Sequence, residues 1–119
     1  SGEGKMLGVA IAPGLKTAIR SLFANTAQLP EVPIEVPSSA LGTNTTHAIQ
    51  AGVILGYEGL VRSLLDRIRT ELNGDCIAVA TGGLSNRIPS LRDAFVDIIP
   101  SLTLEGVRLI GETVIDSTN

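Results

Sequence analysis

The sequence is poor in cysteine, in aromatic residues and in charge, and each shortage excludes a class of protein. The single cysteine, Cys76, allows no internal disulfide, and the single histidine leaves no cysteine–histidine set for a structural zinc site. Aromatic residues make up 3% of the chain, too few for a base-stacking or carbohydrate-binding surface. A net charge of -3 does not suit a nucleic-acid partner.

Long apolar runs are also missing. None approaches the roughly 18 residues that a membrane span requires, so we expect a cytoplasmic protein with no membrane partner. The 119 residues are 44% apolar, with a mean hydropathy of +0.33, and suit one domain with a core of Leu, Ile, Val and Ala. Because the sequence lacks an initiator Met and opens in a glycine-rich turn, we expect a piece of a longer protein.

The first half of the chain predicts a strand, a helix and an arm. A short apolar run at residues 6–12 stops at Pro13 and Gly14 and predicts a buried strand. Helical spacing of apolar residues predicts an amphipathic helix over residues 15–29. Three prolines between residues 29 and 39 then predict a loop or an extended arm.

A long helix over residues 45–72 is the dominant predicted element. Asn44 or Thr43 can cap its start, and Gly74 can end it. Three glycines on this helix recur at intervals of three or four residues and form a glycine stripe: Gly52, Gly56 and Gly59. The stripe indicates either close packing against the chain's own elements or a helix-to-helix dimer interface.

The second half predicts a strand at residues 76–80 and a short strand at residues 97–99. Between them a helix is predicted to begin at Ser85, and Pro89 either limits it to its first turn or restarts it. A last helix is predicted over residues 104–110, with Thr103 as its cap. Strands that alternate with helices are typical of the α/β class with parallel strand pairing.

Three polar or glycine-rich segments are candidate binding sites. The first is Thr81, Gly82 and Gly83, which follow an apolar strand, so their backbone suits either a phosphate contact or a plain tight turn. The second is residues 42–46, where polar side chains meet the unpaired N–H groups of the long helix. These side chains suit either the binding of a polar substrate or ordinary helix capping. The third is the turn at Gly8, Pro13 and Gly14. No catalytic residue and no metal ligand is assigned, because the carboxylates are scattered.

Four motifs in fixed order resemble one family. They are residues 8–14 (Gly-Val-Ala-Ile-Ala-Pro-Gly), residues 42–45 (Gly-Thr-Asn-Thr), residues 80–84 (Ala-Thr-Gly-Gly-Leu) and residues 102–107 (Leu-Thr-Leu-Glu-Gly-Val). In this order and spacing they resemble the carboxyl-terminal half of a type III pantothenate kinase. The resemblance implies a portion of a ribonuclease-H-like half-domain of the actin-like ATPase superfamily, with a long central helix and with the first strands of its sheet missing.

The resemblance also implies an activity. Such enzymes transfer the γ-phosphate of ATP to pantothenate in coenzyme A biosynthesis, with Mg²⁺ and a monovalent cation (K⁺ or NH₄⁺) whose ligands are expected outside this chain. Carried over by motif, Thr45 and Asn44 would bind pantothenate. Thr81, Gly82 and Gly83 would lie near the nucleotide, and the turn formed by Gly8, Pro13 and Gly14 would border the cleft.

The resemblance further implies a homodimer through helix 45–72. The family's amino-terminal phosphate loop and its catalytic aspartate have no counterpart among residues 1–119, so we expect the amino-terminal domain to be absent and the isolated chain to be inactive. Two alternatives stay open. One is a free-standing dimerising interaction module without catalysis, and the other is a different small-molecule kinase of the same superfamily.

Overall fold

A computed structural model describes residues 1–23, 32–74, 76–83 and 85–116. They belong to two compact units, Ser1–Leu60 and Val61–Asn119. In chain order the elements are α1 (Leu15–Ser21), α2 (Thr45–Gln50), a π-helix (Ala51–Leu55), α3 (Gly56–Glu71), β1 (Val79–Ala80), a 3₁₀-helix (Pro89–Ala94), β2 (Asp97–Ile98) and α4 (Leu102–Asp116). The chain is therefore a small α/β protein with a long helix and a two-stranded parallel sheet.

The core of the first unit lies where α1 packs against the π-helix. Leu15 and Ile19 are four residues apart on α1, so they share one face, and both are buried. Ile54 of the π-helix is 0% exposed, and Ala51 is buried on the same segment. This packing fixes α1 beside the helical run that begins at Thr45.

The long helix is confirmed as an unbroken helical run over residues 45–71, and its start is capped as predicted by Asn44. The Asn44 side-chain oxygen accepts a hydrogen bond from the backbone N–H of His47 at 2.9 Å. The His47 ring contributes further, because its Nε2 lies 2.9 Å from the carbonyl oxygen of Ser39. These two bonds hold the loop before the helix against its first turn.

The end of the long helix differs by one residue from the prediction. Asn73, not Gly74, is the first residue with left-handed backbone, at φ 55°, and Gly74 follows at φ 79°. The Asn73 N–H bonds to the Thr70 carbonyl at 3.1 Å, and the Gly74 N–H bonds to the Arg69 carbonyl at 2.7 Å. This pair of bonds is the Schellman arrangement, in which asparagine tolerates the left-handed conformation.

The five-residue π-helix inside the long run is a feature that the sequence pattern does not predict. It contains Gly52 and gives way to α-helix at Gly56. Short π-helical segments of this kind are rare and are often found at functional sites. Here the segment lies between the capped start of the helix and α3.

In the second unit, β1 and β2 pair in parallel, with Val79 opposite Asp97 and Ala80 opposite Ile98. The ladder continues on both sides, because the N–H groups of Val96 and Ile99 bond to the carbonyls of Ala78 and Ala80, each at 2.8 Å. The predicted strands at 76–80 and 97–99 are thus confirmed, at shorter length. The 3₁₀-helix precedes β2 and buries Leu91 and Ala94, which lie three residues apart on its inner face.

Two predictions for the first unit are wrong. Residues 6–12 form no strand, since no described residue supplies a partner backbone, and Met6, Val9 and Ile11 are 75–93% exposed. The helix predicted over residues 15–29 ends at Ser21, where the N–H groups of Leu22 and Phe23 bond to carbonyls three residues back. Residues 24–31 lie outside the described residues, so the rest of that helix and the start of the arm are not covered.

Two predictions for the second unit are wrong in part. No helix begins at Ser85, because its hydroxyl bonds to the Gly82 carbonyl in a turn, but a 3₁₀-helix begins at Pro89, one of the two outcomes predicted for that proline. The last helix begins at Leu102, so Thr103 lies inside its first turn and is not a cap, and it runs on to Asp116. Within the described ranges, none of the helices combines the length and apolar character needed to cross a membrane.

Candidate functional site

A groove of about 710 Å³ lies at the start of the long helix, in the first unit, and is called the main groove below. One end is polar and consists of the predicted segment that precedes and opens the helix. The other lining residues are apolar or small and form its apolar wall. Its lining residues are Leu22, Gly42, Thr43, Asn44, Thr45, Ala48, Ile49, Gly52 and Val53. The structure thus brings the two predicted residues Asn44 and Thr45 together at the polar end of one groove.

At this polar end the two predicted residues differ in what their side chains already do. Asn44 uses its side-chain oxygen to cap the helix through the N–H of His47. Thr45 is exposed, and its position in the first turn lies beside backbone N–H groups whose partial positive charge favours an anionic or oxygen-rich ligand. Thr45 is therefore the better placed of the two to contact a ligand.

Gly42 has a steric role that the sequence did not reveal. A Cβ atom at this position would lie 2.4 Å from the Cα atom and 2.6 Å from the backbone nitrogen of Ala48. Real Cβ contacts are essentially never under 3.0 Å, so only glycine lets the loop lie this close to the helix. Gly42 thereby sets the position of the polar end of the groove.

A second groove of about 330 Å³, the side groove, adjoins the main groove. Leu22, Gly52 and Val53 line both. The predicted turn residue Pro13 lines the side groove, whereas Gly8 and Gly14 line neither groove. Leu22 and Val53 were not predicted as site residues; the only signal for them is their place in apolar helical patterns.

The glycine stripe has open space beside it. A Cβ atom built on Gly52, Gly56 or Gly59 meets no atom of the described residues within 4 Å. Close packing of the stripe against the chain's own described elements is therefore excluded as its explanation. The stripe borders the side groove through Gly52 and Gly56.

The predicted segment Thr81, Gly82 and Gly83 lies in the second unit, directly after β1. Gly82 has φ 95°, a conformation that a residue with a side chain adopts only at a cost. Its carbonyl accepts hydrogen bonds from the Ser85 hydroxyl at 2.7 Å and from the Ser85 N–H at 3.2 Å. These bonds make a tight, glycine-dependent turn at the carboxyl end of a parallel strand, where ligands of α/β proteins commonly bind.

Arginines of α3 hold the 3₁₀-helix in the second unit. Arg62 donates to the Asp93 carboxylate at 2.8 Å and also to the Ser90 carbonyl, while Arg69 donates to the Ala94 carbonyl at 3.1 Å. The hydrogen bond from Arg62 lowers the pKa of the Asp93 carboxyl below its ordinary value. Arg62 and Arg69 therefore make tertiary contacts within the second unit.

On α4, Arg108 bonds to two carboxylates of the same helix, Glu105 and Glu112. The Arg108 bond lowers the pKa of Glu105, and the two carboxylates together raise the pKa of Arg108. Such exposed pairs stabilise a helix locally and indicate no acid–base chemistry. In the part of the chain that the structure describes, no three His, Cys, Asp or Glu side chains converge on a possible metal position.

Comparison with known proteins gives a consistent result. The family model of type III pantothenate kinase matches residues 1–67, a range that contains every lining residue of both grooves. Proteins named type III pantothenate kinase are similar over almost the whole chain. One from Treponema pallidum (strain Nichols) is 49% identical over 113 residues, and one from Roseiflexus sp. (strain RS-1) is 46% identical over 110 residues. A third, from Moorella thermoacetica, is 41% identical over 112 residues.

These matches cover 92–95% of this chain but only 41–44% of each relative. The chain therefore spans about two fifths of the length of the curated relatives it matches. Residues that complete a site in those longer proteins need not be found among these 119.

Proposed function

Because the chain belongs to the type III pantothenate kinase family, we propose that it is a portion of an enzyme that transfers the γ-phosphate of ATP to pantothenate, a step of coenzyme A biosynthesis. The observation that carries this proposal is the family match over residues 1–67, which includes the whole main groove. The chain would be part of the carboxyl-terminal domain of a two-domain kinase. In its parent protein the amino-terminal phosphate-binding domain would supply the rest of the site.

The main groove is the proposed pantothenate site. Pantothenate has a carboxylate at one end and, toward the other end, two hydroxyl groups on either side of a carbon that bears two methyl groups. It therefore needs both polar and apolar contacts. The polar end of the groove offers Thr45 and, behind it, the cap residue Asn44; the apolar wall offers Leu22 and Val53. A mostly apolar pocket with a few placed polar groups is the usual form of a small-molecule site.

The turn at Thr81, Gly82 and Gly83 is the proposed nucleotide contact. Its backbone carries no bulky side chain at two successive positions, which lets a nucleotide or phosphate approach closely. The turn at Gly8, Pro13 and Gly14 would border the cleft, a role supported for Pro13 by its place in the side groove. We propose a ribonuclease-H-like half-domain of the actin-like superfamily, whose first strands would lie outside this chain. The parallel pairing of β1 and β2 supports this fold.

In the proposed reaction, the acceptor hydroxyl oxygen of pantothenate bonds to the γ-phosphorus while the bond from that phosphorus to the β,γ-bridging oxygen breaks, giving ADP. The hydroxyl proton would pass to a carboxylate that we place in the amino-terminal domain of the parent protein. Thr45 and the N–H groups of the helix start would hold the acceptor in line, and catalysis of this kind depends chiefly on such positioning. We expect the isolated chain to bind without turnover.

Mg²⁺ would neutralise the developing phosphate charge, and a monovalent cation (K⁺ or NH₄⁺) would assist nucleotide binding. The described residues bring no set of carboxylates together, so they do not fit a metal cage of their own. We propose that the ligands of both cations lie outside this chain and on the nucleotide phosphates.

A homodimer through the long helix is proposed as well. The glycine stripe leaves open space where a second helix could approach closely, and glycines in a helix interior cost roughly 0.5–1 kcal/mol each unless a contact offsets them.

The single free thiol, Cys76, agrees with a reducing compartment, and we propose the cytoplasm.

The test is a coupled assay of ADP formation by the full-length protein with ATP and Mg²⁺, with and without pantothenate. We expect ADP formation that depends on pantothenate, and none from residues 1–119 alone. Activity with another small hydroxyl acceptor but not with pantothenate would instead favour a different kinase of the superfamily. Absence of turnover with every acceptor, together with intact dimerisation, would favour the interaction module.

A further inference from the structure

We propose that Arg62 is a positioning residue for the nucleotide-side turn, an inference that rests on the function proposed above for Thr81, Gly82 and Gly83. Arg62 acts through the 3₁₀-helix and the two-stranded sheet, all of which lie in the second unit.

The first step is the contact between α3 and the 3₁₀-helix. The Arg62 guanidinium donates to both the Asp93 carboxylate, at 2.8 Å, and the Ser90 carbonyl, so it joins the start and the end of the short helix. A guanidinium presents several donors in a fixed plane, so two simultaneous bonds fix orientation as well as distance. Arg69 adds one bond to the Ala94 carbonyl at 3.1 Å.

The second step is the path from the 3₁₀-helix to β2. Only Phe95 and Val96 separate the end of the 3₁₀-helix, at Ala94, from the first residue of β2, Asp97. The Arg92 side chain donates to the Phe95 carbonyl at 3.2 Å and holds this short link. A displacement of the 3₁₀-helix is therefore passed on to β2.

The third step is the sheet itself. The N–H of Ile99 bonds to the carbonyl of Ala80, the residue directly before Thr81, at 2.8 Å. Each strand has only two paired residues, and a two-stranded ladder is marginal by itself. The register of β1, and with it the start of the turn, thus depends on elements outside the ladder that hold β2.

The main groove provides an internal reference for the test. Its lining residues all belong to the first unit, whereas Arg62 and Asp93 belong to the second. Loss of the Arg62 contact should therefore weaken nucleotide binding and leave acceptor binding unchanged. A general loss of stability would instead affect both ligands together.

The experiment compares Arg62→Gln, Asp93→Asn and the double variant in the full-length protein, with Arg67→Gln as the matched control. Arg67 is an exposed arginine of the same helix, and no described hydrogen bond joins it to the 3₁₀-helix. The ATP Kd is measured by calorimetry, and KM values for ATP and pantothenate are measured by ADP formation.

We expect both single variants to raise the Kd and KM for ATP roughly two- to tenfold, with the pantothenate KM within twofold of wild type. The double variant should resemble the more impaired single variant, because each removes the same contact. Asp93→Asn keeps the side-chain volume, so it still tests the inference if Arg62→Gln fails to fold.

An unchanged ATP Kd in both single variants would overturn the inference, as would an equal rise in both KM values. Failure of the full-length protein to bind ATP would overturn it too. Should ATP binding weaken as expected while pantothenate is not phosphorylated, the role of Arg62 stands and the proposed acceptor is wrong.

Discussion

Replacement of Gly42 by alanine tests whether the loop before the long helix sets the acceptor site. The new Cβ atom would lie 2.4 Å from the Cα atom of Ala48, so the loop must retreat by about 1 Å to reach an ordinary contact of 3.4 Å. Backbone atoms of a helix cannot move aside as a flexible side chain can. We therefore expect a loss of about 1–3 kcal/mol in the free energy of unfolding.

The same retreat carries Asn44 and Thr45 away from the groove. Misplacement of a binding group by about 1 Å can reduce a rate by roughly a hundredfold. In the full-length protein we expect Gly42→Ala to raise the pantothenate KM at least about tenfold, while the ATP KM stays within twofold. Melting temperature by calorimetry and KM by ADP formation are the two measurements.

The matched control is Gly2→Ala, where the added Cβ atom meets nothing within 4 Å. It should leave both the melting temperature and the pantothenate KM near the wild-type values. If Gly42→Ala behaves like this control in both measurements, the argument from the Ala48 contact is refuted, and the loop does not position the groove.

Three further predictions concern single side chains. Thr45→Val removes only the hydroxyl and should raise the pantothenate KM roughly tenfold, whereas Thr46→Val, outside the groove lining, should leave it unchanged in the same assay. Asn44→Ala removes the cap and should cost about 1 kcal/mol, or about 2–4 °C in melting temperature for a protein of the relatives' length, whereas Asn44→Asp should retain most of that stability. Because Arg62 lowers the pKa of Asp93 in the folded state, the pair stabilises the protein above the unfolded pKa of about 3.9 and the effect fades as pH falls through the lowered value. The melting-temperature difference between wild type and Asp93→Asn should thus shrink from pH 7 to pH 3, and a constant difference would contradict the assignment.

Local signals in the sequence predicted the elements whose cause is local. The Asn44 cap and the long helix follow from hydrogen-bonding and helix-forming residues near one another in sequence. The short parallel pairing of β1 with β2 was also predicted, because apolar runs alternate with helices. Residues 6–12 have the composition of a strand, but a strand requires a partner, and composition does not say whether one is present.

The candidate site was predicted in part for the same reason. Asn44, Thr45 and Gly82 carry a local signal, since a cap and a tight turn require particular residue types. The need for glycine at Gly42 arises from Ala48, which becomes its neighbour only after the loop folds back onto the helix. The two bonds from Arg62 join residues 28 and 31 positions apart, and no pattern in the sequence indicates that distance.

The π-helix has a consequence for the phase of the long helix. Each residue of an α-helix turns the chain by about 100°, and the wider turns of a π-helix hold one residue more than α-helical turns do. The first residues of α3, 56–60, are thus rotated relative to the faces of α2 by about one residue from where a regular α-helix would set them. Deletion of one residue between 51 and 55 would let the run close as a regular α-helix, and it would turn residues 56–60 by that angle relative to Thr45.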